Sequence, residues 1–148
     1  MNLKSLIRIT ALLAWSAFVI WAAAICYLSS LTSEDLKVMP SQLMAFDKLV
    51  HAIAFAVGGL FLGVALKQTT RLRGKWLVVA VIVGIGLFGA FDEIHQLSTP
   101  GRSGADFFDW VADMIGGTLA AFVYFYFYGQ ATVRSNSAGS DDADRTTP

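Results

Sequence analysis

Four stretches of this chain are each long and apolar enough to cross a bilayer, and no other feature constrains the fold as strongly. A spanning helix needs about 20 mostly apolar residues. Such stretches run over residues 9–28, 49–66, 76–96 and 107–128. The first carries no charge, and the second is interrupted only by His51. The third is apolar up to Phe91, and the fourth holds Asp109 and Asp113 near its start. Because lipid offers no partners for exposed backbone, the segments must close their hydrogen bonds internally. The expected fold is therefore all-α, an integral membrane bundle of four transmembrane helices over residues 1–128. Residues 129–148 are Ser, Asp, Thr and Ala with few apolar side chains, and are expected to stay disordered.

Composition narrows the function. The 148 residues are 55% hydrophobic with a formal net charge of +0, so the basic footprint of a nucleic-acid binder is missing. Cys26 is the single cysteine and lies in an apolar run, which excludes a disulfide framework and a thiolate zinc site. Lys4 and Arg8 precede the first stretch as in a signal peptide. That stretch is too long for such a segment, however, and no small-x-small site follows it.

Orientation follows from basic residues in short loops. Lys67, Arg71, Arg73 and Lys75 share one loop without an acid, and Lys4 and Arg8 precede the first helix. Both regions are expected in the cytoplasm, giving an N-in, C-in protein of the bacterial inner membrane. Small residues recur at helix-contact spacing: Gly59 with Gly63, Ala80 with Gly84, Gly117 with Ala121. Such pairs let backbones approach in lipid, and packing within the chain is the expected use.

Threaded this way, the ionisable residues gather at the outer end. Asp47, Lys48 and His51 open the second helix, Asp92, Glu93, His95 and Gln96 close the third, and Asp106, Asp109 and Asp113 start the fourth after Arg102. Asp47 reads as a helix N-cap, and Asp106 as the partner of Ser103 in a capping box. Asp92 and Glu93 resist such readings, because a helix C-terminus disfavours anions. Residues 76–91 cover only about 24 Å, so these acids belong to the last turn of the span. Asp113 lies about 15 Å along the helix from Ser103, a depth at which a carboxylate needs a partner or a wet cavity. Asp47 with His51, and Asp109 with Asp113, share helix faces at i, i+4, so the acids and imidazoles are expected to converge beneath the loop of Arg102. An ion pair from Asp92 or Glu93 to Arg102 is expected to hold that loop.

The ordered set Asp47-Lys48-Leu49-Val50-His51, Asp92-Glu93-Ile94-His95-Gln96, Pro100-Gly101-Arg102 and Asp109-Trp110-Val111-Ala112-Asp113 followed by Gly116 resembles the VanZ-like family of bacterial membrane proteins. The likeness covers residues 46–121. It implies a compact helical membrane domain with Asp47, His51, Asp92, Glu93, Gln96, Arg102, Asp109 and Asp113 as its characteristic polar positions. Lys48, His95 and Asp106 are secondary. Asp113 stands where many members carry Asn. The family's name comes from resistance to the glycopeptide teicoplanin, and a link of this chain to such resistance follows from the resemblance alone.

Two classes of function fit. One is a non-enzymatic protein that binds or organises an envelope lipid, a lipid-linked wall precursor or a partner protein through the outer polar cluster. The other is a membrane-embedded enzyme acting on a lipid-linked phosphate or carbohydrate, with acids and histidines binding a divalent metal or supplying acid–base catalysis. Asp109 and Asp113 are similar to the end of the CDP-alcohol phosphotransferase motif, but its preceding Asp-Gly and Ala-Arg elements are missing. No serine nucleophile motif, P-loop or HExxH occurs. The binding class is favoured, no catalytic residue or metal ligand is assigned, and no cofactor is expected. Four short-looped helices without an internal repeat argue against a transport pathway.

Overall fold

Every long helix of this protein begins or ends among polar residues and is apolar between. A computed structural model describes residues 2–37, 46–102 and 104–144. In chain order the helices are α1 (Leu3–Ser29), α2 (Ser33–Leu36), α3 (Asp47–Thr69), α4 (Lys75–Gln96) and α5 (Phe107–Asp144). No strand occurs among the described residues. Four of the helices are long and apolar enough to span a membrane, at Ser5–Ser29, Asp47–Thr69, Lys75–Gln96 and Phe107–Phe127.

The helices run past the expected spans, because polar residues at their ends continue the same backbone ladder. Asn2 caps α1 by accepting from the Ser5 N–H at 2.8 Å. Thr32 and Asp35 form a reciprocal capping box around the short α2, which hydropathy alone does not reveal. The apolar part of α5 ends at Phe127, but its helical backbone continues to Asp144, through residues read from the sequence as a disordered tail. An established helix adds residues without a new nucleation cost.

Helix α3 is central. It packs on α5, α1 and α4, while α1 touches α3 and α4 but not α5. Trp21, Phe55, Leu62, Val78, Val81, Ile85 and Ala121 form the buried core. Trp21 of α1 lies over Gly58 and donates its indole N–H to the Ala54 carbonyl at 2.9 Å. The outer surface stays apolar, with Leu12, Ile20, Leu87, Leu119 and Phe127 exposed, as lipid-facing positions are.

The small-residue pairs do serve packing within the chain. A Cβ on Gly59 would lie 3.0 Å from Ala120 Cβ, and one on Gly117 would lie 2.5 Å from Ile85 Cγ2. Gly116 is tighter still, since a Cβ there would come within 2.0 Å of the Ala52 carbonyl oxygen. These approaches bring α5 against α3 and α4 at the end where the acids lie.

Candidate functional site

Antiparallel neighbours bring the C-terminal ends of α1 and α4 together with the N-terminal ends of α3 and α5. All the polar positions singled out in the sequence therefore lie at one end. The basic loop of Arg71 and Arg73 lies at the other, where Thr10 donates to Gln68 at 2.6 Å. The site residues do not form one cluster. They divide into two groups on either side of α4.

The first group lies between α3, α4 and α5. His51 Nδ1 is 2.9 Å from Asp113 Oδ1, and Asp113 is completely buried. Space for that carboxylate comes from Gly89, where a Cβ would lie 2.9 Å from Asp113 Oδ2. Glu93, one turn beyond Gly89 on α4, is 4% exposed. Its Oε2 accepts from the Asp106 N–H at 2.7 Å, and its own carbonyl accepts from Ala105 at 3.0 Å. Toward the mouth, Lys48 pairs with Asp109, with Asp106 at 3.3 Å and with Asp47 at 3.5 Å. Among the described residues, two buried side-chain oxygens have no hydrogen-bond partner, Glu93 Oε1 and Asp113 Oδ2.

The second group joins α1 to α4. Asp92 is 1% exposed. Its Oδ1 accepts from Ser29 Oγ at 2.6 Å and its Oδ2 from Gln96 Nε2 at 3.0 Å. Gln96 Oε1 in turn accepts from Arg102 Nη2 at 2.7 Å. The expected ion pair from Arg102 to Asp92 or Glu93 is therefore replaced by a relay, because the Gln96 amide stands between guanidinium and carboxylate. Thr99 adds a bond to the Ser29 carbonyl at 3.1 Å.

A cavity of about 160 Å³ lies between the two groups, with Ile25, Leu28, Val50, Ala54 and Phe55 as its apolar wall. Its polar lining is Ser29, His51, Asp92, Gln96 and Arg102. Asp92 is the only carboxylate in that lining, and both its oxygens are engaged.

With this geometry in place, the comparison with known families is decisive. The model described as VanZ/LLP1 matches residues 9–128. The chain belongs to the VanZ/LLP1 family. No curated protein and no solved structure matches it.

Within this family framework, several positions differ from their sequence reading. Asp47 is the first residue inside α3, with Phe46 at the cap position and no side-chain cap bond. Its carboxylate is instead 4.0 Å from His51 Nε2, since the i, i+4 spacing points it along the helix at the imidazole. Asp106 is itself the cap of α5, accepting from the Phe108 N–H at 2.8 Å and from Asp109 at 3.4 Å. Those backbone donors, with Lys48 adding to them, hold its carboxyl below the usual aspartate range. Ser103, the expected cap, lies outside the described residues.

His95 stands apart from both groups, 3.0 Å from Ser30 Oγ and stacked on Phe91. The Ser30 hydroxyl donates to the Cys26 carbonyl at 2.7 Å, so the His95 Nε2–H is the donor to Ser30. Sequence reasoning missed Ser29, Ser30 and Thr99. Two adjacent serines closing an otherwise apolar span were the available signal.

Proposed function

We propose that this protein binds a lipid-linked, phosphate-bearing component of the bacterial cell envelope at the outer mouth of its bundle, as a non-enzymatic membrane protein. One observation carries the reading: a cavity lined from α1, α3 and α4 combines apolar side chains with Arg102. An apolar chain fits the wall formed by Ile25, Leu28 and Val50. Arginine suits a phosphate because its planar fork presents several donors, and among the described residues only Nη2 is engaged, by Gln96. Asp47, Glu93, Asp106, Asp109 and Asp113 are not part of that lining.

The basic loop with Lys67, Arg71, Arg73 and Lys75 supports a cytoplasmic position for the opposite end. The cavity then faces outward from the inner membrane, where lipid-linked wall precursors are handled. A bearing on teicoplanin resistance rests on the family alone.

The test is native mass spectrometry of the full-length protein in detergent, offered polyprenyl phosphate, phosphatidylglycerol, uncharged polyprenol or inorganic phosphate. Retention of polyprenyl phosphate over polyprenol and inorganic phosphate is expected, because head and chain contribute together. A preference for phosphatidylglycerol would assign the cavity to bulk lipid. Arg102→Ala should lower retention about tenfold or more, the effect of losing a charge-assisted hydrogen bond. Equal retention of polyprenol, or an unaffected Arg102→Ala variant, contradicts the reading.

A further inference from the structure

We infer that His51, Glu93 and Asp113 form a binding site for one divalent transition-metal ion. The three residues come from α3, α4 and α5, and each offers a ligand atom within 4.8 Å of the other two. Both carboxylates are more than nine-tenths buried, and each has one oxygen without a partner among the described residues. Orphaned buried carboxylate oxygens are costly, so two of them in one place call for a cation between them.

The nearby cations do not meet that need. Lys48 is engaged by Asp47, Asp106 and Asp109, and Arg102 donates to Gln96. Glu93 Oε2 is fixed by the Asp106 N–H, which leaves Oε1 to coordinate. Asp113 Oδ1 and His51 Nδ1, now 2.9 Å apart, need separate only to about 3.3 Å to be neighbours on an ion with bonds of about 2.0 Å. The orphaned Asp113 Oδ2 can join the same ion, because a carboxylate can bind through both oxygens. A metal-bound histidine usually donates its other ring N–H to a carboxylate. Asp47 is placed for this, 4.0 Å from His51 Nε2, and it acts as a positioning residue. One imidazole and two carboxylates suit zinc, manganese or iron, and three protein ligands leave a coordination position open.

This inference stands apart from the lipid reading, because it concerns metal measured without lipid. The full-length protein is stripped with EDTA in detergent, equilibrated with Zn²⁺ or with Mn²⁺, freed of excess ion, and analysed for metal by mass spectrometry. One bound ion per chain is expected for at least one of the two metals. Glu93→Gln and Asp113→Asn should each lose it, while Asp35→Asn, on α2 and outside the three-residue group, should keep it. Co²⁺ substitution of the wild type gives a second readout that needs no variant: visible d–d bands of a low-symmetry N/O site, abolished by EDTA. No saturable ion in the wild type overturns the site in favour of a shared proton. Retention of the ion by both folded variants overturns it equally.

Discussion

His51 Nδ1 and Asp113 Oδ1 lie 2.9 Å apart and tie α3 to α5 at a point where the carboxylate is wholly buried. Removing one partner of a buried hydrogen bond costs about 1–3 kcal/mol, because the other is left unsatisfied. His51→Leu should therefore lower the unfolding free energy of the detergent-solubilised protein by that order. The double variant His51→Leu/Asp113→Leu should lose less than the sum of the singles, with a coupling of about 1–3 kcal/mol. Strict additivity in a denaturant series would show that the pair is not an energetic unit.

Helix α1 is held differently. It lacks contact with α5, and its C-terminal end is docked through Ser29, whose hydroxyl donates to Asp92 and whose carbonyl accepts from Thr99. Ser29→Ala removes one donor from a buried carboxylate, for which about 1–3 kcal/mol is typical. The loss should concentrate at the C-terminal end of α1, read as faster amide exchange near Leu28 with little change near Thr10. Uniform acceleration along α1 would contradict this local role.

Glycine positions provide a packing contrast. Gly116→Ala drives a Cβ within 2.0 Å of the Ala52 backbone oxygen, whereas Gly84→Ala meets only the Leu62 Cδ2 at 2.8 Å. Overpacking costs about 1–3 kcal/mol, and a backbone atom cannot escape by changing rotamer. Gly116→Ala should reach or exceed the upper end of that range and Gly84→Ala stay near the lower. Equal shifts in thermal midpoint for the two variants would contradict the close approach of α5 to α3.

Asp106 makes a pH-dependent cap. The Phe108 N–H, ahead of Lys48, holds its carboxyl below the usual aspartate range against the opposing effect of burial. A lowered folded-state value means that the stabilisation is complete above the unfolded aspartate range and is lost as pH falls through the folded value. The carboxyl carbon of Asp106 should accordingly titrate at lower pH by NMR than that of the unfolded chain. Asp106→Asn should keep the cap and abolish this component of acid sensitivity. An Asp106 titration at or above the unfolded value would refute the assignment.

The sequence made the four spans legible because about 20 apolar residues in lipid have few alternatives to a helix. It also pointed to Asp92, Glu93 and Asp113, because carboxylates at a helix C-terminus or deep in a span need compensation. Their division into two groups was hidden. A serine in an apolar run can satisfy itself on its own helix, as Ser30 does on the Cys26 carbonyl, so nothing local announces that Ser29 serves Asp92 instead. The Gln96 relay depends on the path of residues 97–102 and 104–106, where Ala105 takes a φ of 59°, a conformation that local sequence rarely specifies for a residue other than glycine.

The orientation of this end carries the functional reading, and accessibility labelling tests it directly. In a Cys26→Ser background, Ser98→Cys and Arg71→Cys place single thiols on exposed positions at opposite ends of the bundle. An impermeant maleimide applied to intact cells should label Ser98→Cys readily and reach Arg71→Cys only after the inner membrane is permeabilised. Labelling of Arg71→Cys but not Ser98→Cys in intact cells would put the His51–Asp113 end in the cytoplasm and contradict an outward-facing site.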